Sequence, residues 1–167
     1  MLTELEFWQR GPVDGVPALL QPVAHALLQA RAEAEDVLLE FPEKNLWRKP
    51  YGVASVAFHL QHLAGFLDRL FTYATGDQLN QAQLASMKME GEENHSLNVR
   101  ALFNAFSLQV DKAILQLRGT TENSLLEGRE VGRKRIPSNV LGLLFHAAEH
   151  AQRHTGQLLV TARIREI

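Results

Sequence analysis

The chain has no cysteine among its 167 residues. It can form no disulfide, supplies no thiolate ligand and offers no nucleophilic thiol of its own. Any thiol chemistry needs a thiol that arrives as a cosubstrate. Long apolar runs are missing too, and no stretch approaches the roughly 20 residues of a membrane span. The opening MLTELEFWQRG carries acidic residues early and lacks the apolar region of a secretory signal, so the cytoplasm is the expected compartment. Basic charge is not in excess: 17 Lys and Arg against 19 Asp and Glu leave a net charge of −2. Nucleic-acid binding would call for a basic patch or stripe. The one short cluster, Arg129 to Arg135, lies between helical segments and reads as solvated loop.

What is present is ordinary for one globular domain of this length: 46% hydrophobic and 22% charged residues. Four long segments carry helical periodicity, with no repeat, linker or low-complexity tract between them. The first spans about 16–40, its regular part starting near Pro22 because a proline inside a helix removes a hydrogen bond. The second spans about 52–75 and ends at Gly76, a natural helix C-terminus. The third covers about 98–118. The fourth runs from about Pro137, a favourable first helical residue, to Arg163. Pro42–Tyr51 reads as a loop anchored by Trp47. Residues 77–97 are polar and too long for a simple helix–helix connection, with one short helix at Gln81–Met87. Segment 125–136 has Gly128 and Gly132 as turn points and room for extended chain. The expected fold is all-α: a single four-helix bundle with a long crossover connection.

The fourth segment holds the most informative run, LLFHAAEHAQRHTGQLLV, Leu143–Val160. His146, His150 and His154 recur every four residues, so they stack along one side of a helix. On a helical wheel His154 borders the apolar stripe, His150 lies slightly further out and His146 further still. Gln157 falls near His150 in azimuth, while Glu149 and Arg153 point away toward solvent. The second segment, VAFHLQHLAGF, offers His59 and His62, and periodicity alone slightly favours His59 as the inward one. Imidazole is the commonest protein metal ligand. Several uncharged imidazoles in an apolar interior would each need a partner, and one shared divalent cation satisfies three of them. A polar core network and a haem-type bis-imidazole arrangement are the alternatives. His25 stands alone and reads as a hydrogen-bonded structural residue; His95, in GEENHS, reads as solvated loop.

Three stretches carry a family resemblance: Trp47 followed by Gly52-Val-Ala-Ser55-Val, FHLQHLAGFLDRLFTYATG (Phe58–Gly76), and HAAEHAQRHTGQL (His146–Leu158). The chain resembles the DinB/YfiT-like superfamily of metal-binding four-helix bundles over most of its length. That resemblance implies metal ligation by His62, His150 and His154, which sets aside the slight periodicity preference for His59. His59 and His146 then become supporting or acid–base residues, and Gln157 a further supporting candidate. Known activities in the family include S-transferases and an isomerase that use bacillithiol, mycothiol or glutathione. Other members are presumed hydrolases.

The resulting expectation is a metal-dependent enzyme whose three-His site holds a divalent cation, zinc or nickel first and iron or manganese next. It would activate a low-molecular-weight thiol, or water, against a small electrophilic substrate. The rival expectation is a non-catalytic bundle whose histidines line a ligand cavity or form a polar network. Neither nucleic acid nor membrane is an expected partner; a homodimer is the expectation for a bundle with leftover apolar surface, such as Phe103 and Phe106 if they face outward.

Overall fold

The structure is a computed structural model that describes residues 5–164; the first four residues of the N-terminal stretch lie outside it. Five α-helices, α1 (Gln21–Leu38), α2 (Val56–Thr75), α3 (Gln81–Met89), α4 (Val99–Gly119) and α5 (Val140–Arg163), surround one core. A short hairpin of β1 (Gly128–Val131) and β2 (Ile136–Asn139) precedes α5. The fold is an all-α bundle of α1, α2, α4 and α5.

Helix ends follow local chemistry. Ser55 Oγ accepts from the Phe58 N–H at 3.1 Å and starts α2, while Gly76, at φ 93°, closes it with its N–H on the Thr72 and Tyr73 carbonyls. Asn98 and Asn139 start α4 and α5 in the same way, accepting from the Ala101 and Gly142 N–H groups at 2.8 and 2.7 Å. Such side chains satisfy donors that the helix itself leaves unpaired.

One boundary differs from the sequence expectation. Pro137 is not the first residue of α5; it lies in β2 opposite Glu130. A proline has no N–H to give a ladder and is tolerated on an edge strand, and β2 has β1 as its one partner. The helix then begins at the next residue able to cap it, Asn139. The extended chain anticipated around 125–136 is real, but its second strand reaches three residues further.

Packing runs round a square: α2 and α4 each touch α1 or α5 and each other, and α1 touches both α4 and α5. Gln116 donates to the Phe71 carbonyl near the C-terminal ends of α4 and α2, while the Val99 N–H at the start of α4 meets Glu43, ahead of α2. So α2 and α4 are parallel neighbours, and residues 77–97 must travel back along α2 to join them. α3 makes that return, with Gln83 Nε2 bonded to Asp68 Oδ2 and Thr72 Oγ1, both at 2.8 Å. The crossover therefore lays a polar segment directly against α2. Phe106 is fully buried and Phe103 is partly buried against the core. No described helix is long and apolar enough to cross a membrane.

Candidate metal centre

α2 and α5 are antiparallel, and their contact brings residue pairs with nearly constant number sums together: His62 with His150, and His59 with His154. One ring nitrogen from each of His62, His150 and His154 lies within 4.8 Å of the other two. Apolar rings hold them in place. Phe58 stacks on His62 at 5.4 Å between centroids and 9° between planes, and Phe66 stacks on His150 at 3.8 Å and 23°.

The hydrogen bonds assign the protons. Glu90, at the end of the returning crossover, accepts through Oε2 from His62 Nδ1 at 2.6 Å. An ionised carboxylate only accepts, so the His62 proton sits on Nδ1 and Nε2 presents a lone pair. That lone pair faces His150 Nε2 at 2.9 Å. Using protein atoms alone, His150 must then donate from Nε2, which leaves a bare lone pair on its Nδ1. That Nδ1 is buried with no hydrogen-bond partner. This nitrogen is orphaned with or without an ion on Nε2, so the donor chemistry of the three rings is what tests the fit. Three imidazoles with convergent nitrogens are a donor set that suits a divalent cation, and the centre fits one. Tetrahedral Zn–N bonds of ~2.0–2.1 Å place two nitrogens about 3.3 Å apart, a few tenths of an ångström wider than the His62–His150 separation.

Behind Glu90 stands Arg69, whose Nη1 donates to Glu90 Oε1 at 2.5 Å with both side chains only 9% exposed. Gly65 makes room for this pair: a Cβ there would meet Glu90 Oε1 at 2.6 Å and Arg69 Nη1 at 2.7 Å. The Gly91 N–H donates to Gln61 Oε1 at 2.8 Å and pins the same turn. Burial by itself raises the Glu90 carboxyl, but hydrogen bonds from His62 and Arg69, with their charges, outweigh it and hold the group below the usual carboxylate range.

The other imidazoles are kept neutral. Burial first, and then the neighbouring His154 and His62, lower His59 to about 4. His150 is also lowered to about 4, by burial and then by His154, His62, His146 and Arg153. His154 falls to about 4 through burial, His62 and Arg153, against the pull of Glu90. Neutral rings keep their lone pairs at physiological pH, which metal ligation requires.

The sequence model of the DinB superfamily matches residues 5–158. The chain belongs to the DinB superfamily. No curated protein matches its sequence.

Within this DinB superfamily bundle the residues singled out by sequence separate clearly. His62, His150 and His154 come together. His59 is the more deeply buried of the α2 pair, at 3% exposure, as periodicity had it. Yet it lies behind His154, with the two Nδ1 atoms 3.1 Å apart. Depth in the core and proximity to the α5 histidines are different quantities. His146 is at the rim, its Nδ1 on Glu149 Oε1 at 2.7 Å, and Glu149 also holds Arg153 at 2.6 Å. Glu149 is thus half-buried and paired rather than simply solvated, and with His146 and His150 it forms a second group able to hold a metal ion. Gln157 is exposed and lines an adjoining pocket. His25 bonds the Gly11 carbonyl at 3.0 Å and His95 is exposed.

Glu90 and Arg69 were missed. In the sequence Arg69 looks like any cation on an amphipathic helix, and Glu90 is one of several acids in MEGEEN. The faint signal was Gly65, a glycine inside an otherwise strong helical pattern, which often has a packing reason.

Proposed function

We propose that this chain is a metal-dependent enzyme in which His62, His150 and His154 hold a divalent cation, zinc or nickel first. The site activates a low-molecular-weight thiol, or failing that water, against a small electrophile. The observation that carries this reading is the convergence of three imidazoles around one point, one of them with its outer nitrogen held by a buried carboxylate. Carboxylate–histidine pairs of this kind fix the tautomer and orientation of a ligating ring. A divalent cation held there supplies a Lewis acid that lowers the pKa of bound water to about 7 and deprotonates a coordinating thiol.

The surrounding side chains divide the remaining work. His154 donates from Nδ1 to His59 and keeps Nε2 for the ion; His59, accepting at Nδ1, then carries its own proton on Nε2. A ring lowered to about 4 is a poor proton acceptor near neutrality, so His59 acts as a hydrogen-bond donor and not as a base. His146 differs in its hydrogen bonding. Glu149 accepts from its Nδ1, leaving Nε2 as the accepting face, and its ring centroid is 5.4 Å from that of His150. His146 is the residue assigned to take up the nucleophile's proton.

The rival, a non-catalytic bundle with a histidine network, is favoured by one observation: the His62–His150 and His59–His154 contacts satisfy several rings without an ion. Two measurements separate the readings. Protein purified without added metal is expected to contain one equivalent of a divalent metal, lost in His62→Ala, His150→Ala and His154→Ala. It is also expected to catalyse chelator-sensitive thiol addition to, or hydrolysis of, a generic electrophile. Stoichiometric metal retained by His150→Ala overturns the ligand assignment. Absence of turnover in metal-loaded protein hands the case to the rival.

A further inference from the structure

Beside the three-His centre lies a pocket of about 530 Å³, bounded by Val53, Phe58, His59, His154, Gly156 and Val160 among others. Its size falls in the range of small-molecule sites. Phe58 is the shared wall: its ring stacks on His62 and lies 6.2 Å from His154 between centroids. We propose that this pocket binds an uncharged, mainly apolar small molecule bearing one hydrogen-bond acceptor, which His59 engages. The assignment of this molecule as substrate rests on the metal-dependent reading above; its binding does not.

Three features support the proposal. The first is Gly156. Glycine is the least favourable residue inside a helix apart from proline, and Gly156 sits in the interior of α5 with an ordinary helical φ. Gly65 and Gly142 have close neighbours that a Cβ would press upon, Glu90 and Arg69 at 2.6–2.7 Å and Asn139 at 3.1 Å. At Gly156 a Cβ would meet nothing within 4 Å. Neither backbone nor packing requires the glycine, and a side chain there would project into the open space of the pocket wall.

The second feature is the His59 proton. With Nδ1 committed to His154, the Nε2–H has no protein acceptor among the described residues, although the ring is buried. Unlike the orphaned His150 Nδ1, this nitrogen is reached by solvent, so it is free to donate to a ligand oxygen or nitrogen in the pocket that His59 lines. The third is charge. Among the described residues no acidic side chain lines the pocket, and the one cation, Arg153, is held by both carboxylate oxygens of Glu149 at 3.0 and 2.6 Å. A net ionic ligand would find no unpaired counter-charge among these residues.

The test uses acetophenone, ethylbenzene and benzoate, which share an aromatic ring and differ in acceptor and charge. Each is titrated into zinc-loaded protein while the ¹H–¹⁵N shifts of the backbone and the imidazoles are followed. Acetophenone is expected to shift Gly156, Gln157 and His59, and to bind about tenfold more tightly than ethylbenzene, the usual scale of one hydrogen bond to an otherwise unpaired group. Benzoate is expected to bind more weakly than acetophenone. Gly156→Leu, which favours the helix, and Val160→Phe, at an exposed position, are each expected to lower acetophenone affinity at least tenfold with zinc content unchanged. Unaltered binding in both variants, shifts centred elsewhere, or preference for benzoate overturns the proposal. Zinc stoichiometry in the same samples reports separately on the metal reading: pocket binding without bound zinc would sink that reading and leave this one standing.

Discussion

Replacing Glu90 by Ala removes one carboxylate and strands two donors. Arg69 is 8% exposed and loses the oxygen 2.5 Å from its Nη1; His62 Nδ1 loses the acceptor at 2.6 Å. Breaking a buried ion pair from one side costs about 3–5 kcal/mol, because the remaining charge stays desolvated. The orphaned imidazole N–H adds to this, but not additively, since both groups share the same carboxylate. A loss of about 4 kcal/mol is a large share of the ~5–15 kcal/mol available to a domain. It should lower Tm by roughly 8–16 °C at ~2–4 °C per kcal/mol. The assay is urea and thermal unfolding of chelator-treated protein, so that metal linkage does not enter. The double variant Arg69→Met with Glu90→Leu separates charge from packing: it should recover most of the stability, since apolar residues often replace a buried pair without loss. It should not recover metal affinity, which is expected to fall about 10–100-fold without the carboxylate behind His62. The imidazole ¹⁵N spectrum of metal-free protein should show His62 protonated at Nδ1 in the parent and mixed in Glu90→Ala. A loss below about 1 kcal/mol for Glu90→Ala, within the range of an exposed pair, would refute the argument.

Gly65→Ala should destabilise the chain by about 1–3 kcal/mol in spite of the gain in helix propensity, because the added methyl overfills the space held by Glu90 and Arg69; a higher urea midpoint would show that the pair shifts freely. Metal-free protein should lose stability as pH falls from about 6.5 toward 4. His59, His150 and His154 are lowered to about 4 in the fold, so over that window the unfolded chain binds protons that the folded one refuses. His62, Arg153 and Glu90 are the charges bearing on His154, and Glu90 opposes the shift without reversing it. A flat profile of unfolding free energy between pH 7 and 4.5 would contradict this burial of neutral rings. Asn139→Ala should cost about 1 kcal/mol through the lost helix cap, whereas Pro137→Ala, outside α5, should change unfolding free energy by less than about 0.5 kcal/mol. The reverse order would return the helix start to Pro137.

Local pattern was enough to locate the four bundle helices, because apolar spacing and a terminator such as Gly76 act within a few residues of chain. It also showed that His146, His150 and His154 share a face of α5, since their spacing matches the helical repeat. The hairpin was less legible: its pairing of Arg129 with Ser138 depends on register between two short strands, and Pro137 carries a competing helix-start signal.

Contacts across the chain were decided elsewhere. A helical wheel ranks His59 above His62 by nearness to the core, but which ring meets the α5 histidines depends on the antiparallel register of α2 on α5. Glu90 reaches His62 across 28 residues only because α2 and α4 run parallel, which sends the connecting segment back along α2. Sequence periodicity determines which side of a helix is apolar, being a property of one rod and its solvent. Which polar residue of a distant turn closes on that rod is set by how the rods dock, and only the tertiary structure contains that information.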